Sequence, residues 1–253
     1  MRKFIFNFKS IDIKKIKNPK NVLGGKGANL AEMGRLGFPV PSGFIISTDV
    51  CDIFYNNKKK LGSKILNIIR KEIKNIENLS GKKFGNFKNP LLLSVRSGAR
   101  VSMPGMMDTI LNLGLNDRTT DALAQNTLNK RFAKDSYRRF IQMYGNVVMG
   151  IESFNFEDLI ENYKLSKGVL LDTDLDADDW DRLIKDFKNV VKEKTKKEFP
   201  QDVYEQLFGA ISAVFLSWES NRAKVYRKIN QIPSNWGTAV NVQSMVFGNM
   251  GND

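Results

Sequence analysis

Histidine is absent from this chain of 253 residues, and cysteine occurs once, as Cys51. Without imidazole the chain has no histidine general base, no histidine metal ligand and no residue that could become a phosphohistidine. One cysteine forms neither an internal disulfide nor a zinc site by itself, which predicts a reducing, cytoplasmic setting. The remaining chemistry must use lysine, arginine, carboxylates, backbone amides or a bound metal. That set suits phosphate handling better than hydrolysis by a catalytic triad.

Long apolar runs are also missing. No stretch approaches the roughly 18 consecutive apolar residues that a membrane span needs, so we expect no membrane partner. The apolar residues near the start of the chain are interrupted by Asn7 and Lys9, which is unlike a signal peptide. A content of 42% hydrophobic and 26% charged residues is typical of an ordinary globular protein.

The net charge of +13 suggests nucleic acid as one partner, since neutralising phosphates dominates such binding. However, 28 of the 40 basic residues are lysines, and they are spread along the chain. Arginine, which forms paired hydrogen bonds with phosphates and bases, is the minority. We therefore favour solvated helix faces as the explanation. A basic nucleic-acid-binding protein remains a second alternative.

The apolar pattern changes along the chain. Residues 1–112 combine short apolar runs typical of strands with amphipathic helices, and residues 113–199 have helical periodicity with few strand signals. A long amphipathic helix and a connection follow in residues 200–240, and residues 238–247 form a further predicted strand. We predict an α+β or α/β fold with a first lobe at 1–112, a mainly helical insertion at 113–199, and a return to the lobe after it.

Two segments contain groups suited to phosphate binding. Residues 24–27, GGKG, precede a helix and offer flexible backbone amides, the charge of Lys26 and a helix N-terminus. The spacing is not that of a P-loop, and a glycine turn before a helix is more often structural. Residues 94–100, SVRSGAR, place two arginines at the end of a predicted strand. There Arg96 could bind a polyphosphate or pair with a carboxylate of the same domain.

The segment 101–109, VSMPGMMDT, follows directly. Three methionines with Pro-Gly and small polar residues are atypical of a core element. We expect a loop that folds over a ligand, in which the adaptable methionine side chains form the cover. The aromatic residues near the end of the chain, Phe215, Trp218, Tyr226 and Trp236, are expected mostly in the core.

Together these segments resemble the pyruvate, phosphate dikinase family. The similar segments are 21–33, 93–114, 218–223 and 237–249, so the resemblance extends from about residue 22 to the end of the chain. The methionine-rich segment distinguishes this family from phosphoenolpyruvate synthase, whose corresponding loop has acidic and alanine residues.

The family uses an ATP-grasp-like domain to pass phosphate from ATP to a histidine on a separate swivelling domain, and from there to pyruvate. The resemblance implies that Lys26 and Arg96 bind the phosphates of ATP. It also implies a loop covering the ATP, with the residues Ser102, Met103, Gly105, Asp108 and Thr109. The adenine pocket would be lined, largely through backbone groups, by Gln243, Met245 and Val246.

Residues 241–253 would then begin a second ATP-binding lobe, and the ATP-grasp-like domain would be incomplete in this chain. The resemblance places the magnesium ligands, the phosphohistidine domain and the pyruvate-binding domain beyond Asp253 or on a separate chain. We therefore assign no catalytic residue and no metal ligand, and we expect the chain alone to be inactive. The strand at 238–247 is expected to leave an open edge. The alternative is a non-catalytic remnant that binds a nucleotide or a partner.

Overall fold

The computed structural model describes residues 3–8 and 11–248, without the side chains of residues 11 and 12. Residues 249–253, the end of the predicted second-lobe segment, lie outside it. In chain order the elements are β1 (Ile5–Asn7), α1 (Pro19–Arg35), β2 (Gly43–Ile46), α2 (Thr48–Asn56), α3 (Ser63–Ser80), β3 (Lys83–Phe84), β4 (Pro90–Leu91), β5 (Leu93–Gly98), β6 (Thr109–Leu113), α4 (Asp117–Thr127), α5 (Lys130–Val147), α6 (Phe154–Lys167), α7 (Ala177–Thr195), α8 (Val203–Ser217), α9 (Asn221–Ile229) and β7 (Ala239–Ser244).

The chain forms two compact units. The first contains the chain up to Gly81, together with Leu93–Thr109 and Leu207–Val246. The second contains Lys82–Leu92 and Ile110–Gln206, and resumes at Phe247. Helices α4 to α7 occupy most of the second unit, in agreement with the helical periodicity of that part of the sequence. No helix in the described ranges is long and apolar enough to cross a membrane.

The first unit has an antiparallel sheet in which four strands lie in the order β1-β2-β7-β5. Strand β7 pairs on both sides: Val242 is opposite Phe44 of β2 and opposite Val95 of β5. The prediction of an open edge at this strand is therefore wrong, because neighbouring strands satisfy its backbone groups on either side. The boundary predicted at residue 241 also falls inside β7, whose residues belong to the first unit.

One face of this sheet is buried under α1. Ile45 of β2 and Phe6 of β1 are cross-strand partners and therefore share a face, and both belong to an apolar cluster with Leu23 of α1. Val22 and Leu30 of the same helix pack against the cluster. Burying these side chains fixes α1 across the strands, so the helix presents its glycine-rich turns to the ends of β5 and β7.

The glycine-rich segment interrupts α1 instead of preceding it. Helical structure begins at Pro19, a residue suited to a first helical turn, and breaks at Gly24, which has φ +69° and ψ 169°. The break brings the backbone close to β5: a Cβ atom on Gly24 would lie 1.7 Å from the carbonyl oxygen of Gly98. The amide of Gly25 donates a hydrogen bond to the carbonyl oxygen of Ala99 at 2.8 Å. The two segments predicted to bind phosphate are therefore in contact.

Side-chain caps explain where two helices of the second unit begin. The Asn116 side chain accepts a hydrogen bond from the Thr119 amide at 2.9 Å, and Thr119 Oγ1 accepts one from the Asn116 amide at 2.8 Å. This capping box starts α4. The Asp176 side chain caps α7 in the same way, so the acidic run at 172–181 opens a helix. Trp180 of α7 is fully buried.

The close approach at Gly24 predicts the effect of adding one methyl group there. Gly24→Ala should lower the free energy of unfolding by about 3 kcal/mol, because the Cβ atom meets the Gly98 carbonyl and φ is positive. Gly37→Ala is the matched control, since Gly37 also has positive φ (+87°) but nothing lies within 4 Å of its added Cβ. That variant should lose only about 1 kcal/mol. Urea unfolding measures both; equal losses would contradict the close approach.

Candidate functional site

A cleft of about 790 Å³ opens beside the glycine-rich part of α1. One wall is formed by α1 residues that include Gly25 and Lys26, and the other by the end of β5 and the loop after it, including Arg100 and Met103. All of these residues belong to the first unit. The volume lies within the range of about 300–1,000 Å³ that is usual for small-molecule and cofactor sites.

The cleft is positively charged. Burial lowers the pKa of Lys26, and repulsion from the nearby Arg96 guanidinium lowers it further. Arg96 is therefore close enough to Lys26 for its charge to act on the lysine, although Arg96 is not itself a lining residue. Within the described ranges no carboxylate pairs with Lys26, Arg96 or Arg100, and the Nε atoms of both arginines are buried without a hydrogen-bond partner. Cations without counter-ions at a concave surface attract anions.

Asn241 lies beneath the glycine-rich turn. It is opposite Arg96 in the pairing of β7 with β5 and is only 1% exposed. A Cβ atom on Gly98 would lie 2.6 Å from Asn241 Nδ2, and one on Gly27 would lie 3.0 Å from Asn241 Oδ1. Neither polar atom of this amide has a hydrogen-bond partner in the described chain. Such buried unsatisfied groups are uncommon and are concentrated at functional positions.

The predicted covering loop is held in place on its far side. Four of its predicted residues line the cleft: Ser102, Met103, Gly105 and Thr109. Met103 is also buried against Trp218 and Ala223. The loop therefore has one side on the cleft and one side on an aromatic cluster.

Asp108, the fifth predicted loop residue, is not among the cleft-lining residues. Its carboxylate pairs with Arg222, whose Nε donates to the Met106 carbonyl at 3.2 Å. Burial raises the pKa of Asp108 despite the opposing effect of the Arg222 charge. Asp108 thus anchors the loop, and Arg222 has the structural role of holding it.

The residues predicted for the adenine pocket are not brought into this cleft. Gln243 is buried, and its Nε2 donates to the Pro41 carbonyl at 3.2 Å. Met245 and Val246 follow β7, and Val246 is 73% exposed. Their assignment to adenine stays a prediction.

Two residues of the site were not predicted from the sequence. The sequence analysis assigns no role to Arg100 beyond being the second arginine of its segment, and the structure shows that it lines the cleft. Asn241 gave one weak signal, a polar residue between Val240 and Val242 in an otherwise apolar strand. Its position under two glycines depends on pairing between distant strands.

The described residues do not fit a magnesium site of their own. Among them there is no group of three or more histidine, cysteine, aspartate or glutamate side chains that could hold a metal ion. Asp108, the carboxylate of the loop at 102–109, is paired with Arg222.

Comparison with known proteins connects this site to a family. A family model described as pyruvate phosphate dikinase, AMP/ATP-binding domain, matches residues 20–83 and 61–251. The chain is 54% identical over 252 residues to the pyruvate, phosphate dikinase of Clostridium symbiosum, covering 99% of this chain and 28% of that protein. It is 51% identical over 236 residues to that of Entamoeba histolytica, covering 92% of this chain and 27% of the relative.

The curated relatives are much longer than this chain, which spans little more than a quarter of their length. The family match nevertheless includes the glycine-rich turn, Arg96 and Arg100, and β7. The chain belongs to the pyruvate phosphate dikinase family and matches the AMP/ATP-binding domain of that family.

Proposed function

We propose that the cleft binds the phosphate groups of ATP and that Lys26 and Arg96 contact them directly. The observation that supports this most strongly is the pair of neighbouring cations without a carboxylate partner in the described chain. Lys26 also lies just after the break in α1, where the positive end of a helix dipole favours an anion. Arg96 can offer two parallel hydrogen bonds to phosphate oxygens.

We assign to the chain an ATP-grasp-like fold that is incomplete, with the helical segment 113–199 as an insertion. The antiparallel sheet, with α1 across one face and the cleft at the strand ends, is consistent with this assignment. A second lobe starting near residue 241 would place Gln243, Met245 and Val246 against the adenine ring. The cleft would then hold only the phosphate end of the nucleotide.

The loop at 102–109 would cover the phosphates by small adjustments. Met103 and Asp108 are anchored by Trp218 and Arg222, so these two points restrict large movement. Gly105 is exposed between the anchors, Ser102 is exposed just before them, and both line the cleft. The small side chain of Ser102 and the absence of a side chain at Gly105 leave their backbone groups accessible to a bound phosphate.

By family membership we infer that the chain supplies the ATP-binding part of a pyruvate, phosphate dikinase. In the complete reaction ATP, phosphate and pyruvate would be converted to AMP, diphosphate and phosphoenolpyruvate through a phosphohistidine. This chain contains no histidine, so that residue would belong to a region outside it or to a separate chain. The part played by the residues described here is to bind and orient the nucleotide.

Removing either proposed phosphate ligand should weaken ATP binding. Lys26→Met and Arg96→Met should each reduce the affinity for ATP roughly tenfold or more at fixed ionic strength, because each removes a charge-assisted hydrogen bond. Lys71→Met in α3 is the matched control, since Lys71 is exposed and loses the same charge. Its affinity should change less than about twofold. Titration calorimetry tests this; equal losses in all three would indicate a net-charge effect.

The lowered pKa of Lys26 predicts how ATP binding depends on pH. Phosphate binding requires protonated Lys26, and a lowered pKa means that this proton is lost at a lower pH than in an ordinary lysine. With ATP fully ionised, the affinity should therefore fall as the pH rises, and the fall should begin below the pH of about 10.4 at which an ordinary lysine titrates. Lys26→Met should remove most of this fall. A wild-type affinity that is constant up to that pH would contradict the proposed contact.

The chain alone should not form phosphoenolpyruvate. Phosphoryl transfer needs a metal bridging the phosphates and an acceptor held in line, and the chain contains no histidine acceptor. Incubation with magnesium, labelled ATP, phosphate and pyruvate should leave the chain unlabelled and yield no phosphoenolpyruvate. Formation of that product at an enzyme-like rate would contradict the expectation. ATP binding without any product would agree with a non-catalytic remnant as well, so a downstream fragment of a relative should be added to test for restored activity.

A further inference from the structure

Arg100 is placed at the cleft by the same backbone contact that positions Lys26. The Ala99 carbonyl accepts the Gly25 hydrogen bond, and a Cβ atom on Gly25 would lie 3.4 Å from the Arg100 carbonyl oxygen. The backbone of Arg100 therefore rests against the glycine-rich turn. Arg100 and Lys26 both line the cleft.

Trp236 holds the Arg100 guanidinium. The guanidinium carbon lies 5.1 Å from the centroid of the Trp236 ring, within the range of a cation–π contact. Stacking fixes the plane of the guanidinium without neutralising its charge, and it leaves the N–H groups at the edge available to an anion. The Nε atom of Arg100 is buried and has no hydrogen-bond partner among the described residues.

Two other arginines that stack on tryptophan have a different environment. Arg227 lies over Trp218 at 4.1 Å and donates to the Glu219 carboxylate at 2.9 Å. Arg138 lies over Trp180 at 4.3 Å and forms ion pairs with two aspartates, Asp135 and Asp172. Each of these structural arginines has a carboxylate partner. Arg100 has the stacking contact but no carboxylate partner in the described chain. This is the environment expected of a guanidinium that binds an anionic ligand.

We propose that Arg100 is a further phosphate-binding residue of the cleft, positioned by Trp236, and that it increases the preference for ligands with several phosphates. The proposal rests on the proposed function, because it needs the cleft to bind phosphates. A third cation adds most to the binding of the most highly charged ligand. A triphosphate also offers more anionic oxygens to Lys26, Arg96 and Arg100 than a single phosphate does.

The test uses inorganic triphosphate and inorganic phosphate, so that adenine contributes nothing. Arg100→Met should weaken triphosphate binding about tenfold and phosphate binding less than about threefold, measured by calorimetry at fixed ionic strength. Arg118→Met is the matched control, because Arg118 also stacks on an aromatic ring, Phe87 at 4.6 Å, but lies in the second unit. It should alter neither affinity. Arg100→Lys, which keeps the charge and loses the paired hydrogen bonds, should be intermediate.

Trp236→Leu tests whether Trp236 affects binding by positioning Arg100. In the wild-type background it should weaken triphosphate binding severalfold, and in the Arg100→Met background it should have no further effect. Urea unfolding of each variant identifies any that fail to fold; Trp236→Phe, which keeps an aromatic ring, then replaces the leucine variant.

The outcomes distinguish the two proposals. If Lys26→Met and Arg96→Met lose triphosphate binding while Arg100→Met keeps it, the role of Arg100 is overturned and the phosphate cleft stands. If wild type binds neither probe, or if no variant changes binding, both proposals fail. Equal losses for both probes in Arg100→Met would overturn the preference for several phosphates.

Discussion

One backbone hydrogen bond, from the Gly25 amide to the Ala99 carbonyl, joins the two segments on which the candidate site depends. It can form only because Gly24 has no side chain and adopts a positive φ, which lets the helix approach the Gly98 carbonyl. Lys26 and Arg100 then face the same cleft, and the Asn241 amide is enclosed beneath Gly27. The shared position of Lys26 and Arg100 at the cleft therefore follows from a contact that involves no charge.

This arrangement makes the site electrostatically unfavourable in the absence of a ligand. Lys26 is partly buried beside Arg96, and the lowered pKa of Lys26 is the direct consequence of that environment. The buried Nε atoms of the two arginines and the Asn241 amide add polar groups without partners. Folding tolerates these costs because the apolar cluster under α1 and the central position of β7 stabilise the same region. A bound anion would offset them, so ligand binding and stability are coupled in this unit.

The sequence was informative where short-range chemistry decides the structure. Helical periodicity predicted the content of the second unit, and GGKG and SVRSGAR, the two segments predicted to suit phosphate, lie together at one cleft. It was misleading about β7, because an apolar strand near the end of a chain gives no sign of whether distant strands will flank it.

Asn241 and Arg100 show the same limit at the level of side chains. Whether a lone asparagine in a strand becomes a buried amide depends on which glycines are packed above it, and no local pattern encodes that. Whether an arginine has a carboxylate partner likewise depends on tertiary placement. The composition of the loop at 102–109 predicts that it covers a ligand, but its attachment through Met103 and Asp108 depends on Trp218 and Arg222, which are far away in the sequence.

The central place of β7 has a consequence for the order in which the chain folds. Strands β2 and β5 are made before β7, and β2 can pair with β1 at once, but the edges of β2 and β5 that meet β7 stay unpaired until residues 239–244 have left the ribosome. The helices between residues 117 and 195 depend mainly on local contacts and can form before that point. The edges of β2 and β5 that face β7 must therefore wait, unpaired, while the second unit assembles. During that interval they are the part of the nascent chain most exposed to aggregation and most in need of a chaperone.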